Sequence, residues 1–498
     1  VRDGLFPGQE MLNFSQKVDH FDEVNVEMWQ QKYFHNPSFV DASKNGNQDI
    51  IFLMVGGEGK ESAKWSGDEN VRIVHWAKQF GARIFDLEHR FFGDSWPIPD
   101  MTTHSLRLLT TEQALADLAF FITSMNQEFH FKDPKWITFG GSYPGALSAM
   151  FRSKYPELTV GAVASSAPLL LQLDFYQYAD VVQNVLNSTD LPNGDSRRCV
   201  DIVQHPKFTV DTTKDDINNF FANIYNIFQG MIQYTYDGSR NETKYDLTAA
   251  QLCRIMSQGN SANDYVKNVW ELIKWYNVYE LHLTNDANTV FANSYTDLIN
   301  EMAATNLSSM SQSAQENRGW MWLCCNEMGW LQTTDSDSIF GSTLPINYFF
   351  DMCTDMFSDD SDHVKVDAVF IRDKNMRARN FYGGEDSFEA TNLILPNGKF
   401  DPWHALGYYK QDDKKNIQVV TIEGAAHCSD MYPPYDGEPA DLTAARQKIE
   451  NFLKALIDAK PSIPSSTAKP EPESSTKSSG LSSIAMAFVV STVASLVL

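Results

Sequence analysis

Basic residues are scarce in this chain: Lys and Arg number 40 against 64 Asp and Glu, for a formal charge of -24. A surface that acidic repels phosphate backbones, which excludes nucleic acid as a partner on electrostatic grounds. Cysteine is sparse as well. The six cysteines (Cys199, Cys253, Cys324, Cys325, Cys353, Cys428) include no Cys-x-x-Cys pair, which argues against a zinc ribbon or a thioredoxin-type motif, and neither a metal nor a cofactor is expected. No internal repeat of the solenoid or propeller kind occurs. The first residue is Val1 rather than Met and no apolar leader follows, which reads as a processed chain or a fragment already relieved of a signal peptide.

Apolar residues are plentiful: 43% of 498 positions are hydrophobic, enough for a large core, so global disorder and collagen-like composition are excluded. Four Asn-X-Ser/Thr acceptors occur, at Asn13, Asn187, Asn241 and Asn306, whereas Asn36 is disqualified by Pro37. Together with the start of the chain they favour the secretory route. An even cysteine count allows up to three disulfides. Adjacent Cys324 and Cys325 would reach different partners, and the connectivity stays open.

From residue 50 onward, short apolar runs alternate with helical patterns. IIFLMV (50–55) leads into Gly56 and Gly57, NVRIVHWAKQF has helical spacing, and ARIFDLEHR reads as a second strand. Leu115, Leu118, Ala119 and Ile122 form an i, i+3, i+4, i+7 stripe within 111–125. WITF (136–139), a glycine turn, a helix near 146–154 and the small apolar run GAVASSAP follow. This alternation predicts an α/β fold with a mainly parallel sheet covered on both faces. Between about 169 and 386 the rhythm breaks into Asn- and aromatic-rich stretches such as DINNFFANIYNIF, most simply a helical insertion. Strand signals return at NLILP (392–396) and NIQVVTIEG (416–424), and LTAARQKIENFLKALIDAK closes the body as an amphipathic helix. The expected organisation is thus a core over 1–168 and 387–460, a helical cap over 169–386, a Pro/Ser-rich linker over 461–480 and an apolar tail over 481–498.

The chemistry gathers at the ends of the strands, where open α/β sheets place their sites. Gly140-Gly141-Ser142-Tyr143-Pro144-Gly145 lies between a strand and a helix, the setting of a nucleophile elbow, although an ordinary Gly-rich turn fits this hexapeptide equally well. Pro144 departs from plain G-x-S-x-G but is tolerated in a first helical turn. A serine nucleophile needs a base and an orienting acid further along. Asp401 follows NLILP in NGKFDPW, and His427 follows the next strand in GAAHC, giving the order Ser, Asp, His. Asp401 in turn chemistry and His427 as a packed loop histidine are the bland alternatives. Of the eleven histidines, His404 is the main rival base, but it would share one short loop with its own acid.

These residues carry a resemblance. GGSYPGALSAMFRSKYPELTVGAVASSAP, EHRFFGDSWP, LTTEQALADL, VGGEG, NGKFDPW, NFSQKVDHFD and WMWLCCNEMGWLQT resemble the prolylcarboxypeptidase, dipeptidyl peptidase II and thymus-specific serine protease family of lysosomal or secreted serine exopeptidases. The match runs from about residue 13 to 432, with VGGEG and HCSDMY closer to the thymus-specific branch. The resemblance implies an α/β-hydrolase core with an inserted helical cap, and cleavage of peptide substrates near proline, at a chain end, in an acidic compartment. It implies Ser142 as nucleophile, Asp401 as acid and His427 as base, with an oxyanion held by the backbone N–H groups of Tyr143 and Gly57. A dipeptidyl peptidase needs a carboxylate for the substrate ammonium, and Glu327 is a candidate, against a capping or surface role; a carboxypeptidase needs a cation or N–H donors. Trp320, Trp322 and Trp330 are candidates for a proline pocket or for plain core. A homodimer is compatible with these features.

Two other classes share the fold: a lipase or esterase, and a non-catalytic binding or adhesion protein, the latter disfavoured because all three candidate residues are present. The last eighteen residues, LSSIAMAFVVSTVASLVL, are uncharged and reach about 27 Å as a helix, short for a span. They fit a lipid-anchor attachment signal with its site near Ser474, Ser475 and Thr476, as well as a tail-anchored helix or a disordered end.

Overall fold

In the computed structural model of the chain, residues 4–46, 48–190, 199–202, 213–235, 248–259, 262–279, 293–359 and 364–459 are described. The Asn241 acceptor, the 461–480 linker and the 481–498 tail with its anchor motif lie outside them. Asn13, Asn187 and Asn306 are exposed, as a glycan acceptor requires.

Eight strands build one sheet: β1 (Glu10–Lys17), β2 (Met28–Asn36), β3 (Ile50–Val55), β4 (Arg83–Leu87), β5 (Lys135–Gly141), β6 (Gly161–Ser165), β7 (Leu393–Gly398) and β8 (Ile417–Ile422). Their order is β1-β2-β4-β3-β5-β6-β7-β8. From β4 to β8 every neighbouring pair is parallel, while β2 meets both β1 and β4 antiparallel. The fold is that of an α/β hydrolase, with the parallel strands connected through helices.

Strand β3 shows why the parallel region is so apolar. All six residues of IIFLMV are buried. Ile51, Leu53 and Val55 enter one apolar cluster, and Ile50, Phe52 and Met54 enter the other, so a period of two feeds two cores at once. Helices α1 (Arg72–Phe80) and α12 (Ala440–Asp458) close one face through Val74, Trp76, Leu442, Ile449 and Phe452. Helices α2 (Thr111–Glu128) and α3 (Tyr143–Lys154) close the other. Thr110 caps α2, its side chain accepting from the Gln113 N–H.

Between β6 and β7 the described elements are helical: α4 (Gln177–Ser188), α5 (Lys214–Gln233), α6 (Ala249–Met256), α7 (Ala262–Tyr279), α8 (Tyr295–Met302), α9 (Gln312–Leu323), α10 (Ile346–Phe357) and α11 (Ala368–Tyr382), besides shorter turns. Two disulfides, Cys199–Cys253 and Cys325–Cys353, tie this region. Of the adjacent pair only Cys325 is bridged; Cys324 and Cys428 are buried free thiols. The β1–β2 hairpin has no counterpart in the sequence-based pattern, because its inward positions include Gln16, Gln31, Lys32 and His35, all buried. Among the described residues no helix is long and apolar enough to cross a membrane.

Candidate active site

Ser142 stands between β5 and α3 with φ 65° and ψ -133°, in the sparsely populated region that a sharp strand-to-helix turn demands. Its N–H donates to the Ser165 carbonyl on neighbouring β6 at 2.9 Å, and its carbonyl accepts from Ala146 as α3 begins. The turn is tight enough that a Cβ on Gly140 would lie 2.2 Å from the Pro144 carbonyl oxygen. Gly57, past the end of β3, is constrained likewise: its Cβ would meet the Pro144 ring at 2.3 Å. The proline that departs from the usual elbow pattern is thus the surface on which the Gly57 loop rests. Tyr143 opens α3, so its N–H has no acceptor within the helix.

Asp401 and His427 come from the loops after β7 and β8. Asp401 is fully buried; its Oδ1 accepts from Trp403 N–H at 2.9 Å and its Oδ2 lies 2.9 Å from His427 Nδ1. Burial opposes a charged imidazole, but the Asp401 carboxylate and, after it, Cys428 together outweigh it and hold the His427 pKa well above the usual histidine value. The histidine loop is pinned at both ends. His427 N–H donates to the Gln233 carbonyl at 3.0 Å, Cys428 N–H donates to Ser166 Oγ at 2.8 Å, and Ser165 Oγ donates to Asp430. His404 turns elsewhere: its Nδ1 lies 3.1 Å from the Tyr409 hydroxyl, and it is not among the residues lining the cavity described next.

Ser142 and His427 open onto one cavity of about 460 Å³. Gly57 and Pro144 form part of its wall, with Trp320 and Gln233 from the insertion and Trp403 from the Asp401 loop. Of the three candidate tryptophans, Trp320 lines the cavity. Trp330 stands behind it, 5.9 Å from Trp320 and 5.7 Å from Trp403 between ring centres, and Trp322 packs on Phe357 in the core.

Glu327 does not line this cavity. It is a half-buried carboxylate whose Oε2 accepts from Thr111 N–H at 2.9 Å, at the start of α2, where a helix favours negative charge. Burial pushes its pKa up to about 7. Carboxylates that reasoning from sequence did not single out stand in the wall instead: Glu58, Glu61 and Glu316. Glu58 Oε2 is buried with no hydrogen-bond partner among the described residues, and burial raises its pKa. The only signal for Glu58 was its place beside Gly57 in VGGEG; Glu61 and Glu316 carry none. The one lysine in the wall, Lys60, lies 3.2 Å from Asp94. Among the described residues no cluster suits a metal ion.

Residues 16–449 match the model of the family described as serine carboxypeptidase S28. A putative serine protease of Caenorhabditis elegans is 49% identical over 478 residues, covering 92% of this chain and 86% of that protein. Human thymus-specific serine protease is 27% identical, covering 89% of this chain and 85% of that one, and human lysosomal Pro-X carboxypeptidase is 24% identical, covering 90% and 89%. With a family match spanning almost the whole body, the chain belongs to the serine carboxypeptidase S28 family and is a serine peptidase.

Proposed function

We propose that this serine peptidase is an exopeptidase that cleaves beside proline, with Ser142 as nucleophile, His427 as general base and acid, and Asp401 as its orienting carboxylate. The observation that carries the reading is the buried 2.9 Å contact between Asp401 and His427, opening onto the same cavity as a backbone-strained serine. His427 Nε2 would take the Ser142 hydroxyl proton as Oγ attacks the scissile carbonyl, then pass it to the leaving amine; water repeats the cycle on the acyl-enzyme. The N–H groups of Tyr143 and Gly57 would hold the oxyanion. Trp320 and Trp403, 6.2 Å apart between ring centres and inclined at 74°, offer an apolar corner suited to a pyrrolidine ring.

For the terminus, the reading favours the amino end. Three carboxylates line the cavity against two basic side chains, Lys60, which already has Asp94, and His427, which has Asp401. Burial raises the pKa of Glu58 and, more strongly, of Glu61, so the excess of negative charge holds where these are ionised. Such a wall attracts a substrate ammonium and repels a terminal carboxylate, which supports a dipeptidyl-peptidase type over a carboxypeptidase type. The secretory or lysosomal route fits the exposed sequons and the lysosomal relative. A proline-peptide library with free or blocked ends tests both points. Cleavage confined to peptides with a free amino end is expected; a requirement for a free carboxyl end would overturn the assignment of the terminus.

A further inference from the structure

Gln233, the last residue of α5, ties the insertion to both catalytic loops by hydrogen bonds. Its main-chain carbonyl accepts from His427 N–H at 3.0 Å. Its side-chain Oε1 accepts from the Tyr178 hydroxyl at 2.6 Å and from the Trp403 indole N–H at 3.2 Å. Trp403 is held in turn by its own N–H on Asp401 Oδ1. An indole N–H can only donate, so the orientation of the Gln233 amide is fixed: oxygen toward Trp403 and Tyr178, nitrogen away from them. Gln233 lines the cavity with Ser142 and His427, and its Nε2 donates to no described residue. A side chain that spends its oxygen on two structural donors and keeps two N–H groups unspent at a cavity wall has the form of a ligand donor.

We infer that Gln233 is a substrate-binding residue whose Nε2 donates to a main-chain carbonyl of the bound peptide, namely the carbonyl of Xaa in an Xaa-Pro substrate. The inference rests on reading the cavity as the peptidase site. An Xaa-Pro unit presents carbonyl acceptors but no proline N–H, so the enzyme must supply donors when that unit leaves water. The carboxylates of this cavity, when ionised, supply none. The same residue fastens the His427 and Asp401 loops to the insertion, so binding of the substrate carbonyl and placement of the base meet in one side chain.

Gln233→Glu tests this. The carboxylate keeps an oxygen for Tyr178 and Trp403 and removes the N–H donor. The expected result is a KM for Xaa-Pro peptides raised about tenfold, the worth of one hydrogen bond, with a much smaller change in kcat. Gln233→Leu, which also strands Tyr178 and Trp403, should lower kcat as well. On the wild-type enzyme, a thioamide at the Xaa carbonyl, a poorer acceptor, should raise KM, and in Gln233→Glu it should make no further difference. An unchanged peptide KM in Gln233→Glu, or a thioamide penalty that persists in it, would overturn the inference. The thioamide comparison on the wild type decides the matter if the variants do not fold, since an unaltered KM there would also overturn it. Failure of the underlying reading would appear separately, as absence of fluorophosphonate labelling at Ser142 in the wild type.

Discussion

Ser142, Asp401 and His427 follow parallel strands, standing one, three and five residues past Gly141, Gly398 and Ile422, where those strands end. The cavity wall drawn from the insertion has no such rule. Trp320, Glu316 and Gln233 come from two helices that reach the site through packing of aromatic faces and the fastening of one loop. On the proposed reading, the sheet would fix the chemistry by backbone geometry, whereas the insertion would fix the substrate by side-chain contacts made across long separations. Changes on the two sides should have different signatures, turnover on one and binding on the other.

The sharpest break is Ser142→Ala. It should lower kcat by about 10⁴-fold or more while far-ultraviolet circular dichroism and melting stay those of the wild type. His427→Ala should match it, and His404→Ala, which touches Tyr409 outside the cavity, should not. Turnover surviving in Ser142→Ala, or lost only in His404→Ala, would move the chemistry off the strand ends.

Asp401→Asn comes next, with a loss of about 10⁴ in kcat. Its pH profile carries the finer information. The base must be neutral to accept a proton, and Asp401 raises the His427 pKa, so the wild-type ascending limb of kcat/KM should lie above the range of free imidazole. Removing the carboxylate's charge should move that limb to lower pH. A limb that stays in place would show that Asp401 is not the group acting on the titrating base.

That contrast also explains what could be read from the residues alone. GGSYPG, NGKFDPW and GAAHC were legible because each needs a particular backbone turn directly after a strand, and glycine, proline and aspartate record such turns locally. The β1–β2 hairpin was not, since its buried Gln31 and Lys32 are satisfied by partners far along the chain: Gln31 Nε2 on the Glu88 carbonyl, Lys32 Nζ on the Glu88 carboxylate at 3.0 Å. Polar side chains matched at long range erase the apolar alternation that marks a strand. Cysteine pairing and the places of Glu58, Glu316 and Gln233 in the cavity wall were hidden for the same reason, being properties of distances rather than spacings.

On the insertion side, replacing Cys325 and Cys353 by serine should act on stability before chemistry. With the bridged positions 28 apart in sequence, loop-closure entropy puts the loss at about 3.5 kcal/mol. Guanidinium unfolding should show it, with kcat held near the wild-type value below the transition and KM raised as the wall loosens. A drop in kcat equal to the change in kcat/KM would mean that the bridge supports the strand-end loops directly, erasing the division drawn above.

The smallest effect on activity is expected at Glu327, the carboxylate that sequence reasoning offered for the substrate ammonium and that the fold instead sets against the Thr111 N–H. Glu327→Gln keeps an acceptor oxygen there and removes the ionisable group. The folded protein binds the Glu327 proton more tightly than the unfolded chain does, with a pKa of about 7 against an ordinary 4.5. This group's contribution to wild-type stability therefore falls as pH rises from about 4.5 to about 7 and is level outside that window. The variant lacks this slope, so its melting temperature should gain on the wild type across the same window and then run parallel. Kinetics should change little, because Glu327 faces α2 and not the cavity. A KM raised about tenfold for peptides with a free amino end, with blocked peptides unaffected, would instead return Glu327 to the substrate and transfer the reading of the terminus away from Glu58 and Glu316.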